Sequence, residues 1–204
     1  KALDYVTELE DSRIHQVLAK TMVEICNGEV IQMEDKFRLD QTMKDYFRRI
    51  KRKTALLIES SCELGALVSG LEDRYVRNLK RYGYFVGMSF QIVDDILDFT
   101  ATDKELGKPA GSDLMQGNIT LPMLLLRDDP TVRPYIDLAM EEKLTEQDRL
   151  AMLTIVRKSA AIQEATRISN AYLKKALAEL DQLPNHKTKK KLRDIALFIG
   201  KRKF

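Results

Sequence analysis

Residues 90–99 read FQIVDDILDF, and at helical period Gln91, Asp94, Asp95 and Asp98 stand at i, i+3, i+4 and i+7. That spacing predicts a helix with an amide and three carboxylates on one face. Phe90, Ile92, Val93, Ile96, Leu97 and Phe99 cover the remaining surface, so the helix is expected to be buried and to carry an anionic stripe. Carboxylates one turn apart repel each other and lose hydration in a partly dry site. A hard cation with oxygen ligands relieves both costs. Mg²⁺ suits the pattern, because it takes only one or two protein carboxylates and completes its shell with water and phosphate oxygens. The D-x-D-x-D-G order of a calcium loop is absent. The competing reading is an acidic face that meets solvent or nearby lysines, and the flanking sequence decides between the two.

Upstream, the same helix is expected to start at Glu72 or Asp73, with Tyr75, Val76, Leu79, Tyr82 and Val86 continuing its buried face and Gly83 and Gly87 marking close approaches to neighbouring helices. Before it, Ala55 to Val68 is apolar nearly all round and rich in small residues, which predicts a closely packed core helix ended by Gly70. Asp40 to Lys51 predicts a shorter amphipathic helix leading to Lys53 and Thr54. Asp11 to about Glu34 predicts a long one, capped by Asp11 or Ser12. Downstream, Thr100 to Asn118 reads as a functional loop holding Lys104, Lys108 and four glycines. Pro122 falls in the first turn of a helix at Leu121 to Leu126. Beyond Pro130 and Pro134, helices are expected at about Glu146 to Arg157, Ile162 to Leu180 and Thr188 to Lys203.

The chain of 204 residues is long enough for one domain with a sizeable core, and 1–204 is taken as one all-α domain. A net charge of +3, with acids matching bases along most of the chain, is too small to argue for nucleic acid, and no nucleic-acid partner is expected. Cys26 and Cys62 lie in apolar helical patterns without metal-ligand spacing and read as reduced core thiols of a cytoplasmic protein. No uncharged apolar run approaches the ~18 to 20 residues that a bilayer span needs. His15 and His186 have no second ligand at metal spacing and read as surface or packing residues.

Four motifs stand in order along the chain: Lys53-Thr54, Gln91-x-x-Asp94-Asp95-x-x-Asp98, the loop Leu106 to Asp113 (LGKPAGSD), and GNITLP at Gly117 to Pro122. Together they resemble the C-terminal two-thirds of the trans-polyprenyl diphosphate synthases. KRKTALLIESSCELGA and GKPAGSDLMQGNITLP are most similar to the large catalytic subunit of the two-component, heptaprenyl-forming members. The resemblance implies an antiparallel helix bundle around a central cavity, in which an allylic prenyl diphosphate ionises and is attacked by isopentenyl diphosphate. It implies that Asp94 ligates Mg²⁺ directly, with Asp95 and Asp98 holding magnesium-bound waters and orienting lysines. By the same resemblance Lys53 and Lys108 grip the allylic diphosphate, and oxygens of Thr54 and Gln91 face the developing cation. Such chemistry needs charge on the leaving group and a dry pocket, and no side-chain base.

Two departures from the family pattern stand out. Asn118 replaces a lysine that many members carry, and the first aspartate-rich motif with the isopentenyl diphosphate site is absent, with nothing at Lys1 to Glu10 in its place. The N-terminal part of the fold is therefore expected to be missing from this chain. A non-catalytic scaffold or regulatory subunit is the rival reading, but a scaffold has no need to keep Lys53, Gln91, the three aspartates and Lys108 together. The resemblance further implies a homodimer, or a heterodimer with a small component I subunit, and transient membrane contact for product release. Ile14, Val17, Leu18 and Met22 are the expected wall of the product tunnel, and the lack of Phe or Tyr on that face favours a medium or long product.

Overall fold

Among the described residues, three of the six helices of thirteen residues or more begin on a side chain that accepts from one of their first backbone N–H groups. In the computed structural model, which describes residues 9–202, α1 (Ser12–Glu34) starts behind Asp11, whose carboxylate accepts from the Arg13 N–H. The expectation for Lys1 to Glu10 falls largely on residues 1–8, which lie outside the described residues. Thr42 and Asp45 form a reciprocal capping box that starts α2 (Met43–Ile50), while Asp40 pairs with Arg38 ahead of the helix. A π turn, Lys51–Ala55, carries α2 into α3 (Leu56–Val68) without a break. Gly70, at φ 65°, turns the chain after α3, and α4 (Asp73–Thr100) runs back along it.

Glycine makes that return close, as the sequence predicts. A Cβ on Gly83 would lie 2.6 Å from the Ile58 carbonyl oxygen, and one on Gly87 would lie 2.5 Å from Ala55 Cα. These facing pairs, 83 with 58 and 87 with 55, set α3 and α4 antiparallel. The expected loop after α4 is not structureless, since α5 (Asp103–Leu106) and α6 (Ser112–Met115) fold within it. Then come α7 (Leu121–Leu126), α8 (Arg133–Met140), α9 (Glu146–Lys158), α10 (Ala160–Asp181) and α11 (Lys187–Lys201). The hydroxyls of Ser89 and Ser169 meet at 2.9 Å, and Asn78 donates to Glu179 at 2.8 Å, so α10 also runs antiparallel to α4. His186 caps α11, which returns along α10 and rests on α4, where the Tyr82 hydroxyl donates to the Leu192 carbonyl at 2.7 Å.

The described residues contain helices and no strand, and none of the helices is long and apolar enough to cross a membrane. Two buried clusters hold the C-terminal half of α4. One joins Tyr46, Ile50, Met88, Ile92 and Leu121, and the other joins Phe99, Leu114, Ile119, Met123, Ile136 and Met152 beneath the α5–α6 segment. Each such side chain contributes about 1.5–3 kcal/mol on burial, which fixes α4 against α2, α7 and α9.

Three expectations are corrected. α3 is not enclosed nearly all round among the described residues, because Leu57 and Val68 are exposed. Cys26 is exposed rather than a core thiol, and Cys62 is partly buried. Ile14 is enclosed by Ala66, Leu67 and Val76 rather than lining an open space.

Candidate active site

The stripe on α4 divides by depth. Gln91, Asp95 and Asp98 are buried, and the Asp94 side chain keeps half its surface exposed. The cause is the arrangement around α4: neighbours on α2, in the π turn and in the Lys108–Asp113 segment cover three members of the stripe, while Asp94 is rotated from Asp95 by one residue, about 100°.

Asp95 is held by neutral donors. The Tyr46 hydroxyl donates to its Oδ2 at 2.7 Å and Gln91 Nε2 donates to its Oδ1 at 2.9 Å. The Thr54 hydroxyl in turn donates to Gln91 Oε1 at 2.5 Å, so the π turn, α2 and α4 are joined through one chain of hydrogen bonds. Burial pushes the Asp95 carboxyl up to about 7, against the two hydrogen bonds, and the charges of Asp113 and Asp94 push the same way. Burial, and then the Asp95 charge, raises the Tyr46 phenol well above its ordinary value.

Asp98 is held by the next segment. Its Oδ1 meets Lys108 Nζ at 3.0 Å and Ser112 Oγ at 3.3 Å, its Oδ2 accepts the Asp113 N–H at 3.3 Å, and its carbonyl accepts the Gly111 N–H at 2.6 Å. Gly107 and Gly111 stand at φ 68° and 74°, a left-handed backbone that lets the segment fold back so tightly. Lys108 also reaches Asp113 at 2.9 Å. One ammonium thus serves two carboxylates. Burial alone would lower Lys108, but the hydrogen bonds to Asp113 and Asp98 outweigh it and hold the lysine charged, while burial and the Asp113 charge raise Asp98.

Lys53 lies in the π turn and lines a narrow space together with Gln32, Arg49, Asp113, Asn118 and Thr120, beside Gln91 and Asp95. The Gln32 Oε1 and Thr120 Oγ1 atoms in its wall are buried and have no hydrogen-bond partner among the described residues. Arg49 closes one side, donating to the Gln41 side chain and to the Ile119 carbonyl. All seven residues singled out from the sequence therefore lie on α4 or on the two segments that fold against it. Sequence reading missed Tyr46, Arg49, Asp113 and Arg202. Asp113 stood inside the quoted loop and was the most accessible of these, whereas the other three are matched to the site by the fold alone.

The donor set fits a magnesium ion of one kind. No cluster of three acidic, His or Cys side chains among the described residues could enclose a metal. Asp95 and Asp98 have both oxygens engaged by protein donors, whereas Asp94 is half exposed and has one oxygen, Oδ1, paired with Arg202 at 2.6 Å. Such a site suits an ion that takes one protein oxygen and draws its other ligands from water and phosphate.

The Polyprenyl synthetase family model matches residues 1–156. The chain is 49% identical over its full length to heptaprenyl diphosphate synthase component 2 of Geobacillus stearothermophilus, covering 63% of that protein. It is 45% identical to the component 2 of Bacillus subtilis (strain 168), covering 58%. The solved heptaprenyl diphosphate synthase of Staphylococcus aureus superposes with a TM-score of 0.86 at 41% identity, over 98% of this chain and 63% of that one. A polyprenyl synthase of Caulobacter crescentus CB15, solved with calcium and isoprenyl diphosphate, superposes at 0.91 with 30% identity, over 98% and 62%. The chain thus spans about three-fifths of the length of these relatives. An all-helical fold, a lysine-anchored aspartate stripe and a match along most of the sequence place this chain in the polyprenyl synthetase family.

Proposed function

We propose that this chain carries the diphosphate-binding half of a magnesium-dependent trans-polyprenyl diphosphate synthase. In the whole protein an allylic prenyl diphosphate, farnesyl diphosphate at the start, is elongated by successive trans condensations with isopentenyl diphosphate. The end product is heptaprenyl diphosphate for a quinone side chain. The observation that carries this reading is the division of the stripe: Asp95 and Asp98 are locked inward, with Lys53 lining the space beside Gln91 and Asp95 and Lys108 paired to Asp98, while Asp94 on the same helix is half exposed.

In this reading Asp94 holds magnesium, which supplies positive charge to the departing diphosphate. Lys53 and Lys108 meet the diphosphate oxygens, and Lys108 is kept charged and aimed by Asp98 and Asp113. The Gln91 amide is fixed in one orientation, nitrogen on Asp95 and oxygen on Thr54, so its dipole and the Thr54 hydroxyl are set before the cation forms. Asp95, buried beneath them, orients Gln91 and Tyr46 and lines the space beside Lys53, where it would meet magnesium-bound water.

The chain forms one helical domain in the cytoplasm. The "component 2" in its relatives' names supports another component as partner, and to this the reading adds a small size for that component, self-association into a dimer and transient membrane contact at product release. The test is chain elongation by a chimera in which this chain is completed by the part of the Geobacillus relative that it does not cover, mixed with that relative's other component. Radiolabelled isopentenyl diphosphate and farnesyl diphosphate should give heptaprenyl product. A folded chimera without any elongated product would overturn the reading, and full heptaprenyl product without a second component would remove the partner.

A further inference from the structure

The half-exposed carboxylate on α4 already has a counter-ion. Arg202 Nη2 stands 2.6 Å from Asp94 Oδ1, and the Arg202 guanidinium lies 4.8 Å from the centre of the Phe90 ring, one turn earlier on the same helix. The Arg202 side chain is 17% exposed, so the pair is drier on the arginine side than on the aspartate side. Its position follows from how α11 is seated. Tyr82 ties the middle of α11 to α4, and near its end Gly200 lets the helix sit against α10, where a Cβ would meet Leu173 Cδ2. Arg202 caps α11 immediately beyond that contact.

An arginine on a carboxylate competes with a cation for the same oxygens. We infer that Arg202 makes metal binding at Asp94 conditional on diphosphate: it occupies Asp94 until a magnesium diphosphate arrives, and then transfers its guanidinium to the diphosphate. This rests on the reading of Asp94 as the carboxylate that meets magnesium. Magnesium alone must displace the guanidinium and offers it nothing in exchange, whereas a magnesium diphosphate brings oxygens that a guanidinium binds as well as it binds a carboxylate. The Phe90 ring keeps the guanidinium beside the site during the exchange, since its face attracts the cation whether or not Asp94 is free. The arginine is a positioning residue, coupling two ligands rather than acting on either substrate carbon.

The test is calorimetry on the full chain with Mg²⁺ alone, pyrophosphate alone and the two together, for the wild type, Arg202→Ala and Arg202→Lys. Removing a partly exposed, charge-assisted pair should tighten Mg²⁺ alone by roughly threefold to tenfold in Arg202→Ala. The same variant should weaken magnesium pyrophosphate by a comparable factor, with Arg202→Lys between it and the wild type. Thermal melting checks that each variant folds, and Arg202→Lys carries the same test if Arg202→Ala does not. Unchanged Mg²⁺ affinity in folded variants would overturn the inference, and so would weakening of both titrations alike, which is the mark of an arginine that only holds Asp94 in place. A wild type that binds pyrophosphate equally with and without Mg²⁺ would instead fail the reading of the site itself.

Discussion

Replacing Gly87 by Ala should damage the site far more than the fold. The new Cβ would lie 2.5 Å from Ala55 Cα, 3.0 Å from Ala55 Cβ and 3.2 Å from the Ala55 carbonyl oxygen, all of them in the π turn or attached to it. Carbon atoms pack at about 3.5–4.0 Å, so α4 and the π turn must separate by about 1 Å. Overpacking of this kind costs about 1–3 kcal/mol, and the better helix propensity of alanine returns about 1 kcal/mol. The net loss is about 0–2 kcal/mol, and the variant folds. The site has less tolerance. Thr54 adjoins Ala55, and its hydroxyl reaches Gln91 one turn beyond Gly87 at 2.5 Å, so a separation of about 1 Å takes that bond to the limit of a hydrogen bond. Misplacement by that distance costs on the order of 10²-fold in turnover. The assay pairs thermal melting with magnesium pyrophosphate calorimetry and, in the completed enzyme, turnover. Gly65→Ala is the control, because nothing lies within 4 Å of its added Cβ, and it should melt at or above the wild-type temperature with unchanged affinity. Wild-type stability, affinity and turnover in Gly87→Ala would refute the reasoning that this glycine sets Thr54 against Gln91.

Two further outcomes follow from burial. Burial raises the Cys62 thiol to about 11 while Cys26 is exposed, so a maleimide at pH 7 should label one thiol per native chain, at Cys26, and two after unfolding; equal labelling rates at both would contradict the packing of α3 against α4. Asp95 has its carboxyl raised to about 7 in the folded chain from 3.8, so its contribution to stability is fully present below about pH 4 and is lost as pH rises through 7. Asp95→Asn should flatten the melting temperature across that window in metal-free buffer, gaining on the wild type by up to about 4 kcal/mol at pH 8. A pH profile parallel to the wild type's would show that Asp95 is not the group titrating.

The helix start at Asp11 was legible from its cap, while the Thr42 capping box was passed over and that helix begun at Asp40; the close approaches of Gly83 and Gly87 were legible because glycine inside a helix needs a packing reason. α8 went unread because Pro130 and Pro134 look like two breakers, although Pro134 sits in the first turn of the helix, where its missing N–H costs nothing. α5 and α6 are one-turn helices inside a glycine-rich stretch, too short to show a period. At the site, the helical face grouped the right four residues but treated them as equals. Their division into one outward and three inward side chains depends on what packs against α4, and that comes from Tyr46 and Arg202, 49 and 108 residues away from their partners. Cys26 and Leu57 were misread for the same reason, since an apolar helical pattern does not say which of its faces is covered.

The central claim is that Asp94 and the two lysines take magnesium and diphosphate together. Calorimetric titration of pyrophosphate into the wild type and into Asp94→Ala, each with and without Mg²⁺, tests it most directly. The predicted result is weak pyrophosphate binding without Mg²⁺, tightening by at least about tenfold, or about 1.4 kcal/mol, when Mg²⁺ is present in the wild type. That gain should vanish in Asp94→Ala. Equal affinity in the two wild-type titrations, or a full magnesium-dependent gain in Asp94→Ala, would contradict the account.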